Sequence, residues 1–149
     1  SRIRNLLKKG DLVNAFKILK RPYSFNGKVV SGKGIGKSIG WPTANLEIDG
    51  RKFLPGEGVY AAWATIENSH QKIASVMNLG SQPTINPLLA SAVEVHLINR
   101  NINLNGLNLS IEPVEMLRSQ IKFENLDQLS NQIKKDRDIA LRIFKSQKK

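Results

Sequence analysis

The chain has 149 residues, of which 40% are hydrophobic and 23% charged, and a formal net charge of +11. This length and balance suit one globular domain with a substantial core. No apolar run approaches the roughly 20 residues of a membrane-spanning helix and no signal-peptide pattern opens the chain, so we expect no membrane partner. The absence of cysteine excludes disulfides and thiolate chemistry and favours a cytoplasmic location.

Two short helices are predicted at the start of the chain, over residues 1–9 and 12–20. Gly10 separates them, and Asp11 is a suitable N-cap for the second. Arg21-Pro22 ends that helix. Its predicted apolar face consists of Leu12, Ala15, Phe16 and Leu19.

From Tyr23 onward the pattern is typical of strands separated by Gly, Pro, Asn and Asp. Asn105-Gly106 is a strong turn dipeptide and predicts a hairpin between the last two strands. Six strands at this spacing favour a closed or partly open antiparallel barrel. The candidate strands are 23–31, 43–48, 57–67, 72–79, 92–99 and 107–117.

A last helix is predicted from Leu126 to Phe144, with Asn125 as its N-cap. The apolar residues of this segment recur at helical spacing and form one stripe. They are Leu126, Leu129, Ile133, Ala140 and Phe144.

A glycine-rich cationic loop precedes the second strand. Gly32, Gly34, Gly36 and Gly40 alternate with Lys33 and Lys37. Glycine lets backbone N–H groups approach a phosphate closely. The spacing fits neither common phosphate loop, because Ser31 stands where a Walker A loop has glycine and Gly40 is one residue late for the dinucleotide pattern.

Strand alternation places Thr43 and Asn45 on one face of the second strand, opposite Ala44, Leu46 and Ile48. A hydroxyl and a carboxamide are hard oxygen donors, which suit magnesium when substrate phosphates and water complete its shell. A solvated strand face without function is an equally consistent interpretation of this local pattern.

The same alternation separates Glu94 and His96 from the apolar Val93, Val95 and Leu97. Glu94 is the best candidate for a general base, although an ordinary exposed glutamate explains the pattern too. His96 and His70 lack metal-ligand spacing, and we interpret both as structural.

Taken in order, these motifs resemble the riboflavin kinase module of bacterial-type bifunctional FAD synthetases over about residues 20–145. The resemblance is carried by the glycine loop with Gly40-Trp41-Pro42-Thr43-Ala44-Asn45, which is its most diagnostic part. The other matching motifs are Arg21-Pro22-Tyr23, Gly27-Lys28-Val29-Val30, Pro55, Gly58-Val59-Tyr60-Ala61, Asn78-Leu79-Gly80, Pro83-Thr84, Glu94-Val95-His96-Leu97, Leu117-Arg118 and Phe123.

The resemblance implies a six-stranded antiparallel Greek-key barrel with a C-terminal helix, and an ATP-dependent transfer of phosphate to riboflavin that yields FMN and ADP. Glu94 would match the catalytic base, while Thr43 and Asn45 would match the pair associated with Mg²⁺. Flap residues would cover the ATP phosphates, and Arg118 and Phe123 would lie near the flavin. The flap and nucleotide residues are Gly34, Gly36, Lys37, Gly40 and Pro42.

Residues 1–20 resemble the end of an adenylyltransferase module, so we expect a helical linker there and the kinase domain over 21–149. Three positions depart from the family pattern and concern the lid on the flavin side. They are Gln82, Asn105 and Gln120.

Two other hypotheses stay open. A barrel that binds flavin nucleotide without catalysis is suggested only by the lid departures. A nucleic-acid-binding barrel is suggested by the charge of +11, but residues 23–112 carry only +1 of it, whereas 1–22 carry +6 and 113–149 carry +4. Because a nucleic-acid-binding barrel is expected to carry its basic stripe on the strands, we expect no nucleic-acid partner.

Overall fold

A computed structural model of the chain describes residues 1–30, 43–49, 52–80 and 89–147. Three helices and six strands occur in these ranges. The helices are α1 Arg2–Lys8, α2 Leu12–Leu19 and α3 Leu126–Gln147. The strands are β1 Phe25–Val30, β2 Ala44–Asp49, β3 Gly58–Ile66, β4 Ile73–Leu79, β5 Leu89–Leu97 and β6 Asn108–Arg118.

The strands form a closed antiparallel barrel in the order β1-β2-β5-β4-β3-β6, and β6 pairs with β1 to close it. The predicted barrel with a C-terminal helix is confirmed. Strand β5 lies between β2 and β4, so a crossover brings together segments that are distant in sequence. This pairing determines which side chains share the candidate active site.

The barrel interior is filled by alternate residues of the strands, as the period of two requires. Leu46 and Ile48 of β2 and Val93 and Val95 of β5 are all at most 2% exposed. Tyr60 of β3 is fully buried in the same cluster. Side chains at the intervening positions therefore face outward.

Helix α3 covers part of the outer barrel surface. Ala140 and Phe144 are buried against Val59, Ala61 and Val76 of β3 and β4 in a second hydrophobic cluster. The ring centroids of Trp63 and Phe144 are 4.3 Å apart. Asn125 caps the helix as predicted, because its Oδ1 accepts the N–H of Gln128 at 2.9 Å.

Helices α1 and α2 pack on the main core rather than standing apart from it. Leu7, Leu12 and Ala15 are at most 4% exposed and belong to the same hydrophobic cluster as the residues that fill the barrel. A Cβ at Gly56 would lie 2.1 Å from the carbonyl oxygen of Lys8, so only glycine permits this close approach.

Three details of the sequence prediction are wrong. Strands β5 and β6 do not form a hairpin: the Asn105-Gly106 turn joins β1 instead, where the Gly106 N–H donates to the Val29 carbonyl and the Val29 N–H to Leu107. Phe16 and Leu126, predicted on apolar faces, are 48% and 54% exposed. In both cases helical spacing identified an apolar residue but not whether a partner element covers it.

None of the helices in the described ranges combines the length and the hydrophobicity that crossing a bilayer requires.

Candidate active site

Asn45 and Glu94 are direct cross-strand neighbours on β2 and β5. Residues in such register have Cβ atoms about 4.5–5.5 Å apart. Both point away from the core, since Leu46, Val93 and Val95 beside them are buried. The structure therefore brings the predicted metal-associated amide and the predicted base together on the outside of the barrel.

A third polar residue extends this row. Asn78 of β4 is the register partner of Glu94 on its other side. The row Asn45–Glu94–Asn78 thus crosses three adjacent strands, with a carboxylate between two carboxamides. Glu94 is exposed, whereas Asn45 and Asn78 are half-buried. A substrate on this surface can therefore reach the carboxylate from solvent.

Thr43 lies two residues before Asn45 and is exposed immediately ahead of β2. Its hydroxyl, the Asn45 amide oxygen and the Glu94 carboxylate form a set of hard oxygen donors of the kind Mg²⁺ prefers. This donor chemistry fits the expected metal. In the described ranges as a whole, no group of three or more His, Asp or Glu side chains is arranged to hold a metal ion.

The row continues in the opposite direction to Arg118 at the end of β6. Asn78 pairs in register with Val59, and Val59 pairs with Arg118. Just beyond Arg118, the Gln120 Nε2 donates to Asn78 Oδ1 at 2.6 Å and to the Leu79 carbonyl oxygen at 2.9 Å. The segment after β6 is thereby attached to β4 next to Glu94.

Arg118 is bound to α3 by a bidentate ion pair. Its Nε and Nη2 donate to the two Asp136 carboxylate oxygens, each at 2.9 Å. Gln132 Nε2 donates to the same carboxylate at 2.9 Å. The Arg118 Cζ lies 5.9 Å from the centroid of the Phe123 ring, so the two residues predicted near the flavin are indeed neighbours.

His96 is buried at 8% exposure on the outer face of β5 and takes part in an interaction there, while His70 is exposed in the turn between β3 and β4. Neither lies in the row that contains Glu94. Their structural interpretation stays a prediction.

Several predicted site residues lie outside the described residues. Among them is Gln82, one of the three departures from the family pattern. The others are Gly34, Gly36, Lys37, Gly40 and Pro42.

Asp136 was not predicted as a functional residue from the sequence, and Asn78 was given no role. Asp136 had a readable signal, because it falls within the apolar stripe of α3 between Ile133 and Ala140, and an acid on a buried face needs a partner. Asn78 had no comparable local signal, since its neighbour Glu94 is set by the strand order.

Comparison with known families agrees with this geometry. The family profile Flavokinase, described as riboflavin kinase, matches residues 19–144. The chain belongs to the riboflavin kinase family. Its catalytic class is therefore that of a kinase domain, as the sequence resemblance implied.

Curated relatives have the same assignment. The bifunctional riboflavin kinase/FMN adenylyltransferase of Haemophilus influenzae is 38% identical over 144 residues, covering 97% of this chain and 46% of that protein. The Bacillus subtilis protein of the same name is 34% identical and covers 100% of this chain and 47% of its own length. The chain thus spans about half the length of these relatives.

A third relative has a different description. The "RNA-binding riboflavin kinase RibR" of Bacillus subtilis is 34% identical over 110 residues, which cover 74% of this chain and 46% of that protein.

Solved structures share the fold. A crystal structure described as a macrolide-efflux protein from Streptococcus pneumoniae matches with a TM-score of 0.84 at 31% identity, covering 93% of this chain and 45% of that one. The riboflavin kinase of Trypanosoma brucei matches with a TM-score of 0.57 at 21% identity, covering 83% and 78%. At that identity the second match supports the barrel fold alone.

Proposed function

We propose that the chain transfers the γ-phosphate of ATP to the terminal ribityl hydroxyl of riboflavin, giving FMN and ADP. The observation that carries this proposal is the cross-strand pairing of Asn45 with Glu94. It puts a carboxylate next to an oxygen donor suited to the metal of a nucleotide, on a barrel of the riboflavin kinase family.

Glu94 acts as the general base in this proposal. Its carboxylate accepts the proton of the ribityl hydroxyl as that oxygen bonds to the γ-phosphorus, and the bond from phosphorus to the β-phosphate oxygen breaks to release ADP. Because Glu94 is exposed, the substrate hydroxyl can approach it directly. The barrel contributes mainly by holding the reacting groups in position.

Thr43 and Asn45 hold the metal through their side-chain oxygens. Mg²⁺, when bound there with the nucleotide, would neutralise charge on the transferred phosphoryl group. The glycine loop, with Gly34, Gly36, Lys37, Gly40 and Pro42, covers the phosphates in this proposal, and Arg118 and Phe123 contact the flavin.

An assay of FMN formation from riboflavin and Mg-ATP tests the proposal with the Glu94→Gln variant. We expect kcat to fall by about 10²- to 10⁴-fold, the usual contribution of a positioned base. The matched control is Glu115→Gln, which removes an exposed glutamate from β6. Asn45→Ala in the same assay should raise the Mg²⁺ concentration needed for half-maximal rate.

The outcomes separate the alternatives. Flavin binding without FMN formation by the unsubstituted chain would favour the non-catalytic flavin-binding barrel. An undiminished rate in Glu94→Gln would remove Glu94 as the base, and an unchanged Mg²⁺ requirement in Asn45→Ala would remove Asn45 as a ligand.

In this proposal the chain acts on riboflavin and ATP and is joined to an adenylyltransferase module in the full-length protein. We expect a cytoplasmic location and no nucleic-acid partner. Because the name of the third relative includes RNA binding, RNA is the partner to test first. RNA binding by this chain with a steep dependence on salt would contradict the expected absence.

A further inference from the structure

The side chain of Asn78 is held by a residue from outside the barrel sheet. Gln120, in the segment that follows β6, donates from Nε2 to Asn78 Oδ1 at 2.6 Å. The same nitrogen donates to the Leu79 backbone carbonyl at 2.9 Å. One amide group is therefore attached to two consecutive residues of β4.

The Leu79 carbonyl determines the orientation of both amides. A carbonyl oxygen only accepts hydrogen bonds, so the Gln120 atom facing it has to be the NH₂ group. Since that group also faces Asn78 at 2.6 Å, the Asn78 atom in contact has to be its oxygen. The Asn78 Nδ2 is then the group that points away from Gln120.

The strand register indicates where that NH₂ group is directed. Across the barrel surface, Asn78 has Val59 of β3 and then Arg118 of β6 on one side, and Glu94 of β5 on the other. Gln120 follows Arg118 and reaches Asn78 from the β6 side. The side of Asn78 opposite Gln120 is the side of Glu94.

We propose that Asn78 and Gln120 are positioning residues for Glu94: Gln120 orients the Asn78 carboxamide so that its Nδ2 faces the side of Glu94, where it can donate to the carboxylate and hold it towards the substrate hydroxyl when substrate is bound. This inference rests on the proposed role of Glu94. It assigns a function to Gln120, one of the departures noted in the sequence.

A purely structural role would have a different signature. Gln120 is exposed and Asn78 is half-buried, and neither belongs to a hydrophobic cluster. An exposed hydrogen bond of this kind contributes little to stability, because water replaces it in the unfolded chain. Loss of the pair should therefore lower the rate of phosphoryl transfer at nearly unchanged stability.

The test compares kcat and KM for FMN formation in Asn78→Ala, Gln120→Ala and Gln120→Glu. We expect kcat to fall about 10-fold in the two alanine variants, within the roughly 100-fold that a 1 Å misplacement costs, with KM for both substrates unchanged. Gln120→Glu should lower kcat further, because it has no NH₂ group to donate and turns the Asn78 oxygen towards Glu94.

The control is Ser119→Ala, which keeps the backbone carbonyl that accepts from Arg118 and changes an exposed side chain beside Gln120. Its kcat should equal that of the unsubstituted chain. Thermal unfolding of every variant checks that the fold is retained.

Measuring the effect of Asn78→Ala in a chain that already carries Glu94→Gln distinguishes this inference from the proposed function. If Asn78 acts through Glu94, adding Asn78→Ala to Glu94→Gln lowers kcat no further. A full additional 10-fold loss, or unchanged kcat in both alanine variants, would overturn the positioning role while leaving the base intact. Unchanged kcat in Glu94→Gln alone would instead remove Glu94 as the base, on which this inference rests, and failure of the unsubstituted chain to form FMN would overturn the proposed function.

Discussion

Arg118 and Asp136 show how one residue pair joins the site to the rest of the molecule. Arg118 uses two N–H groups on Asp136 and a third on the Ser119 carbonyl. A guanidinium has five N–H donors, so two remain for the predicted contact with a substrate. The predicted role of Arg118 at the flavin is compatible with its ion pair and stays a prediction.

Asp136→Ala should destabilise the fold because it leaves the half-buried Arg118 guanidinium without its carboxylate partner. The Asp136 side chain is 3% exposed, and breaking such a pair costs about 3–5 kcal/mol. The measurement is the free energy of unfolding in urea. Asp138→Ala is the control, since its contact with Arg137 is 3.6 Å long and exposed, and should cost less than about 1 kcal/mol.

Replacing both partners separates an unpaired charge from lost packing. Arg118→Met combined with Asp136→Leu should recover most of the stability lost in Asp136→Ala. A double variant as unstable as the single one would show that the ion pair is not the origin of the effect.

The residues of the site were predictable to different degrees. Thr43, Asn45 and Glu94 were predicted as site residues because strand alternation separates them from apolar neighbours and the motif resemblance gives them roles. Asn78 was quoted only as part of a motif, since its importance depends on β4 lying next to β5. Alternation gives the face of a strand but not its neighbours.

The six strands and the helices were located from the sequence to within a few residues. The order of the strands around the barrel was not predicted. The largest boundary differences are at β5, which begins at Leu89 rather than at residue 92, and at α3, which ends at Gln147 rather than at Phe144. The predicted hairpin at Asn105-Gly106 failed because a turn dipeptide specifies a reversal of the chain but not which strand the next segment joins. Here β1 supplies the partner groups through Val29.

The predicted boundary at residue 20, between a helical linker and the kinase domain, can be tested by substitutions in helices α1 and α2. Leu7→Ala should lower the free energy of unfolding by about 2–5 kcal/mol, because Leu7 is 3% exposed within the main core cluster. Val13→Ala, at a position that is 50% exposed, is the control and should change stability by less than about 0.5 kcal/mol. Equal, small effects would mean that these helices are a dispensable linker.

For the molecule as a whole, the two tyrosines report on the integrity of the barrel at high pH. Burial raises the pKa of both Tyr23 and Tyr60 to about 12 from the ordinary 10. Tyr60 donates its hydroxyl proton to the Gly56 carbonyl at 2.5 Å. In the folded chain both phenols therefore stay protonated at pH values where the unfolded chain has lost these protons.

The two phenols make their full contribution to the free energy of unfolding below about pH 10. This contribution is lost as pH rises from about 10 to about 12, because the tyrosines of the unfolded chain ionise first. Tyrosinate absorbance against pH checks this, with the urea-unfolded chain, titrating near 10, as the control. A folded chain that titrates near 10 would contradict the burial of these hydroxyl groups.

The closure of the barrel by β6 also has a consequence for how the chain folds during synthesis. Strand β6 pairs with both β1 and β3, so the sheet cannot close until β6 has left the ribosome. Pairings between such distant segments form slowly, since loop closure precedes the contacts that compensate for it. A nascent chain that ends before β6 has open strand edges, which favour aggregation or recruit chaperones.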